Sequence, residues 1–132
     1  ANNHLMLMVS DKLRIGIVTG HLPLKDVSSA ITEDLILNKI KVMNESLKMD
    51  FNIRKPKIAV LGLNPHASDE GLIGTEENDI IIPAIDKANE QGMLAFGPFP
   101  ADGFFSSSKY NNYDAILAMY HDQGMLPFKT FA

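Results

Sequence analysis

The chain has 132 residues, 45% of them hydrophobic and 21% charged, with a formal net charge of −4 and no cysteine. That length supports one domain with a real core, and the acidic balance argues against nucleic acid or an anionic membrane as the main partner. The lack of cysteine excludes disulfides and thiolate metal sites and fits a reducing compartment. No run reaches the roughly 18–20 apolar residues of a membrane span. The opening Leu5–Val9 run is too short for a signal peptide and lacks a basic flank, so a cytoplasmic protein is the simplest reading.

In chain order, Leu13–Gly20 (LRIGIVTG) reads as a buried strand, rich in Ile and Val and closed by glycine. A turn through His21-Leu22-Pro23-Leu24 follows. A helix starts at Thr32, a good N-cap, with Glu33 and Asp34 in its first turn where the dipole favours them. Ile36, Ile40, Met43 and Leu47 share one face of it, and Asn52 to Pro56 ends the pattern. Lys57–Leu63 is a second buried strand, leading into a polar loop, Asn64 to Gly71. Thr75 can cap a second helix that runs toward Gln91, with Gly92 suited to the C′ position. Pro83 should kink that helix or disturb its hydrogen bonds.

Met93–Gly97 is a short third strand, followed by the Pro98-Phe99-Pro100-Ala101-Asp102 corner. Ser106 to Asn112 reads as loop, with room for a turn of helix before it. Asp114–Tyr120 is the fourth strand, and a loop is expected after it. Strands alternating with helices indicate βαβ units: an α/β fold with a mostly parallel sheet flanked by helices. Two helices are too few to cover both faces of such a sheet. With no initiator methionine and an end at Lys129-Thr130-Phe131-Ala132, residues 1–132 are expected to be one segment of a larger protein.

Three histidines stand at or just past strand ends: His21, His66 and His121. Carboxyl ends of parallel strands share one rim, where open sheets bind ligands. Three neutral imidazoles there could hold a divalent metal with positions left for substrate. They could equally mark where strands emerge into solvent. His4 lies outside the pattern. Asp122, Asp69 and Glu70 could orient an imidazole or move a proton, though solvation explains Asp69 and Glu70 better. Glu76 and Glu77 fit helix-start positions. Asp102 suits a helix cap as well as chemistry. Lys129 could pair with a phosphate, and an ordinary exposed lysine is the simpler account on spacing alone. Gly71-x-x-Gly74 before a helix is a weak anion-cradle signal.

The runs His21-Leu22-Pro23-Leu24-Lys25-Asp26, Gly62-Leu63-Asn64-Pro65-His66-Ala67, Gly74-Thr75-Glu76-Glu77, Gly97-Pro98-Phe99-Pro100-Ala101-Asp102 and Tyr120-His121-Asp122-Gln123-Gly124 are specific in order and spacing. Together they closely resemble the 4-hydroxythreonine-4-phosphate dehydrogenase family of pyridoxal phosphate (vitamin B6) biosynthesis, across essentially the whole chain. The resemblance implies a two-domain α/β fold like isocitrate and isopropylmalate dehydrogenases, working as a homodimer. It implies a divalent metal on His21, His66 and His121 in a site built from both subunits, with Lys129 on the substrate phosphate. Asp102 and Asp122 are then candidates for proton transfer or substrate contact.

The implied reaction is NAD- or NADP-dependent oxidation and decarboxylation of a small phosphorylated hydroxy acid, with zinc, cobalt, magnesium or manganese as the metal. The family's N-terminal substrate contacts and much of its cofactor surface are expected to lie outside this segment, and the cofactor-binding residues stay unassigned. The loop Ser68-Asp69-Glu70-Gly71-Leu72-Ile73 departs from the family's commoner glycine-rich wording. Rival readings are a sister dehydrogenase acting on a phosphorylated erythronate or threonate, and a non-catalytic metal-binding or dimerisation fragment. A metal-dependent hydrolase, open from the histidines alone, does not fit the motifs.

Overall fold

Residues 4–132 are described by a computed structural model. Five strands, β1 (Met6–Val9), β2 (Arg14–Ile17), β3 (Lys57–Leu61), β4 (Leu94–Phe99) and β5 (Ala115–Ala118), form one sheet in the order β1-β2-β5-β3-β4. β2, β5, β3 and β4 run parallel. The α/β architecture with a mostly parallel sheet is as the sequence predicts.

β1 lies outside the predicted elements. It pairs antiparallel to β2, from Met6 opposite Ile17 to Val9 opposite Arg14. The turn between them is closed by the Ser10 hydroxyl, which accepts the amides of Lys12 and Leu13. An antiparallel edge on a parallel sheet is a common arrangement.

The strands sort their side chains by alternation. Ile58, Val60, Leu117 and Met119 face one side, against α1 (Val27–Ala30), α2 (Glu33–Phe51) and α3 (Ile82–Glu90). Ala59, Leu61, Ile116 and Ala118 face the other, against α4 (Ala101–Ser106) and α5 (His121–Phe131). On α2 the predicted stripe is the buried one: Ile36, Ile40, Met43 and Leu47 are all fully enclosed. Each such side chain contributes roughly 1.5–3 kcal/mol of apolar burial. Thr32 caps α2 as expected, its side chain accepting the Leu35 amide at 3.1 Å. Gly92 ends α3 with φ +90° in a Schellman turn, Met93 N–H reaching Ala88 O and Gly92 N–H reaching Asn89 O.

Two predicted details need correcting. Thr75 makes no side-chain cap on the second helix, although its carbonyl accepts Asp79 N–H at 2.9 Å in the first turn. Residues 77–81 instead form a widened π turn in which Ile82 N–H donates to the Glu77 carbonyl, and α3 proper begins beside Pro83. Pro83 has no amide to donate and its ring crowds the preceding turn, so a widened turn relieves both problems.

The segment after Tyr120 is a helix, not a loop. Gly124 and Pro127 disfavour that reading locally, yet Gly124 is what lets α5 sit on the sheet. A Cβ there would lie 3.1–3.3 Å from Ile15, Ile17 and Ala118. With α4, this helix supplies the second covered face that the sequence left open.

Candidate metal centre

β2 and β5 are neighbours in the sheet and run parallel, so their carboxyl ends deliver His21 and His121 side by side. The two imidazole centroids stand 5.2 Å apart at 39°. With Zn–N bonds of about 2.1 Å and a tetrahedral angle, two imidazoles on one ion have centroids roughly 5 Å apart. The pair's spacing thus matches two ligands of one divalent cation, as it also matches two packed imidazoles. His121 Nδ1 lies 2.8 Å from Asp122 Oδ1. A carboxylate on one ring nitrogen fixes the ring's tautomer and leaves Nε2 for a ligand bond. Leu22, Leu24, Val27 and Tyr120 complete a 310 Å³ cleft around the pair.

The location follows from topology. The chain leaving β2 passes to the α1–α2 face, and the chain leaving β5 passes to the α5 face. Adjacent strands whose exits diverge open a crevice at their carboxyl ends, which is where open α/β sheets bind ligands. β3 also exits to the α2–α3 face, so β5 has such a crevice on both sides. Gln123 fills the second one. Its Oε1 accepts Met119 N–H at 2.7 Å and its Nε2 donates to Gly62 O at 2.8 Å. That side chain ties the β5–α5 junction to the end of β3, a role not visible in its motif.

The structure does not gather all three histidines within one chain. Among the described residues no group of three His, Asp or Glu side chains could hold a metal ion. Within one chain the rim brings two of the three histidines together, His21 and His121. His66 leaves β3 on a path of its own. His66, Ala67, Ser68, Asp69 and Glu70 all have φ between 47° and 72°, followed by Gly71 at 95°. The backbone winds left-handed through His66 instead of extending from the strand. Left-handed backbone costs about 1–2 kcal/mol for a residue such as Ala67 or Ser68.

The turn carries its own hydrogen bonds, Ala67 N–H to Asn64 O and Gly71 and Ile73 N–H to Ser68 O, and its entry at Leu63–Asn64 is held by the acidic residues read from sequence as helix-start residues. Glu77 is buried at 1% exposure. Its Oε2 accepts the amides of Leu63 and Asn64, each at 2.7 Å, and its Oε1 accepts Asn64 Nδ2 at 2.8 Å. Gly74 is no anion cradle: a Cβ there would be 2.5 Å from Asn64 Nδ2, so the Asn64 amide occupies that space.

Glu76 takes the Ser28 hydroxyl and also Asn64 Nδ2. These donors, Ser28 first, hold its carboxyl below the usual value of 4.5. The unfolded chain then binds the proton more readily than the folded one, so stability rises with pH across that window. The contribution is full above the ordinary carboxylate value and fades as pH falls through the depressed one. Thermal unfolding of the full-length protein across acidic pH should therefore show a shallower acid-side loss for Glu76→Gln than for wild type. Parallel acid limbs would contradict this.

Asp102 and Asp122 line a second groove of 340 Å³ with Ala101, Tyr120 and Gln123. This groove shares Tyr120 and Asp122 with the histidine cleft. Asp102 Oδ1 accepts Gly103 N–H at 2.7 Å within the first turn of α4; the N-cap position belongs to Pro100, so Asp102 does not cap the helix. Lys129 is exposed on α5, eight residues beyond His121 and so about 12 Å along the helix axis. Helical side chains lean toward the helix N-terminus, which for α5 is the cleft end.

A family model described as "Pyridoxal phosphate biosynthetic protein PdxA" matches residues 1–132. The chain belongs to the PdxA family. Among relatives in that family, the 4-hydroxythreonine-4-phosphate dehydrogenase of Bacteroides thetaiotaomicron is 48% identical over 131 residues, covering 99% of this chain and 36% of the relative. The Sulfurihydrogenibium enzyme of the same name is 46% identical, covering 98% of this chain and 39% of its own length. This PdxA-family chain thus spans less than two-fifths of those relatives.

The solved 4-hydroxythreonine-4-phosphate dehydrogenase of Klebsiella pneumoniae superposes with a TM-score of 0.91 at 34% identity, over 97% of this chain and 38% of that one. A terephthalate 1,2-cis-dihydrodiol dehydrogenase from Burkholderia xenovorans gives 0.89 at 30% identity, over 97% and 40%.

Proposed function

We propose that this chain carries the metal centre and part of the substrate site of a 4-hydroxythreonine-4-phosphate dehydrogenase. The reaction is NAD- or NADP-dependent oxidation and decarboxylation of 4-phosphooxy-L-threonine, a step of pyridoxal phosphate biosynthesis. The observation that carries this reading is the His21–His121 pair, 5.2 Å apart at a topological switch point, in a chain whose relatives bear that activity's name.

In this reading His21, His66 and His121 hold a divalent ion, zinc, cobalt, magnesium or manganese, at a site shared between the subunits of a homodimer. When bound, the cation supplies Lewis acidity at the substrate hydroxyl, and the nicotinamide accepts the hydride. Asp122 orients the His121 ring through Nδ1. The Asp102 and Asp122 carboxylates, both exposed on the adjoining groove, are placed to take the hydroxyl proton or bind substrate. Lys129 leans toward the same end of α5 and neutralises the phosphate.

The cofactor's seat and the second half of an isocitrate or isopropylmalate dehydrogenase-like two-domain frame belong to the length that this chain does not span. The segment alone is accordingly inactive. A cytoplasmic location fits a small phosphorylated substrate. No helix among the described residues is long and apolar enough to cross a membrane.

A second reading, a sister dehydrogenase with another substrate, is favoured by one observation. A dehydrogenase named for a dihydrodiol shares this fold almost as closely as the phosphate-specific ones. Turnover by the metal-loaded full-length protein, followed by nicotinamide absorbance, decides between them. 4-Phosphooxy-L-threonine should exceed phosphorylated erythronate and threonate in kcat/KM by at least about tenfold, the effect of one lost polar contact. A reversed order would replace the proposed substrate with its sister.

A further inference from the structure

We propose that Glu77 is a positioning residue for His66, and that Asn64, Glu76 and Ser28 extend its hold to the segment that follows His21. This rests on the metal-centre reading above. His66 stands at the start of five consecutive left-handed non-glycine residues. None of Ala67, Ser68 or Glu70 favours that conformation by itself; the turn's own bonds to Asn64 and Ser68 carbonyls hold its interior, and its entry is anchored from outside.

The anchoring groups come from the π turn and from α1. Glu77 fixes the entry to the left-handed turn by accepting three N–H donors from Leu63 and Asn64. The Asn64 amide spans Glu77 and Glu76, and Glu76 takes the hydroxyl of Ser28 on α1. Ser28 lies seven residues after His21. One polar chain thus runs from the His66 turn to the element built directly after the His21 turn.

The glycines leave room for it. A Cβ on Gly62 would stand 3.0 Å from both Ala67 and Glu77 Oε2, and one on Gly74 would stand 2.5 Å from Asn64 Nδ2. The Gly62-Leu63-Asn64-Pro65-His66-Ala67 and Gly74-Thr75-Glu76-Glu77 runs therefore interlock as one object. No Lys, Arg or His among the described residues pairs with Glu77. A buried carboxylate without a cation costs several kcal/mol unless its hydrogen bonds compensate. Glutamine would either turn its own N–H toward the Leu63 and Asn64 amides or force the Asn64 amide to flip, which sets Asn64 Oδ1 against the Glu76 carboxylate.

The test uses the full-length protein with Co²⁺ alone as probe, reading affinity by chelator competition and ligand geometry by visible absorption. Glu77→Gln should weaken Co²⁺ binding by about 10–100-fold, the usual effect of losing a group that orients a ligand, and should shift the ligand-field bands. Asn64→Ala should move both readouts in the same direction. A purely structural role would lower the apo-protein melting temperature while leaving affinity and bands alone, and that result overturns the proposal. If Glu77→Gln does not fold, Asn64→Ala decides by the same criterion. His66→Ala is the control: loss of Co²⁺ affinity there with Glu77→Gln unaffected refutes positioning but keeps the metal centre. Unchanged Co²⁺ affinity in His66→Ala refutes the metal centre and the proposal with it.

Discussion

Alanine in place of His121 is expected to remove the bound metal and lower turnover of the full-length protein by about a thousandfold, since Lewis-acid stabilisation is worth several kcal/mol. His121 is the member of the set with most arranged around it. It opens α5, faces His21 across the β2–β5 crevice, and has its Nδ1 fixed by Asp122. Folding should barely respond, because the side chain is 36% exposed and its side-chain hydrogen bond goes to an exposed carboxylate. Metal content by elemental analysis, turnover and thermal unfolding separate the effects. Retained metal with near-normal turnover would end the ligand assignment.

The sequence made the sheet legible because its four parallel strands are short apolar runs closed by glycine or polar residues. The same runs placed His21 and His121, since a histidine within a few residues of a strand end has little freedom in where it goes. His66 was less legible. Its strand could be read, but the entry to the left-handed turn beyond it depends on Glu77 and Asn64, whose hydrogen bonds link positions 13 and 14 residues apart. Nothing local in Ala67-Ser68-Asp69-Glu70 announces that backbone. α5 was hidden for the opposite reason. Gly124 and Pro127 carry strong local penalties, and tertiary contact with Ile15, Ile17 and Ala118 overrides them. Glu77 looked like an ordinary helix-start carboxylate because burial of an acidic side chain leaves no trace in composition. Motif resemblance supplied what periodicity could not, namely which of the polar residues on the rim belong together.

The β4 strand shows how a backbone constraint reaches the site. Its pairing with β3 slips between Ala59 opposite Phe96 and Leu61 opposite Phe99, so β4 carries one extra residue there. Such bulges bend a strand and re-aim the residues beyond them. Beyond this one lie Phe99, whose carbonyl accepts Gly62 N–H at 2.8 Å, and then Asp102. Gly97 makes the slip possible. Its φ is +127°, and a Cβ would lie 2.3 Å from the Val60 carbonyl oxygen, a backbone atom that cannot swing aside.

Gly97→Ala should therefore cost about 2–6 kcal/mol, combining left-handed strain with overpacking. Gly92→Ala provides the contrast. It has φ +90° with nothing within 4 Å, so strain acts alone and the cost should stay near 1 kcal/mol. Denaturant midpoints of the two variants measure the difference. Equal midpoints would mean that β3 and β4 part freely at this point. A large loss for Gly97→Ala alone would show that the close approach of the two strands, where a Cβ meets the Val60 carbonyl, is what this glycine serves.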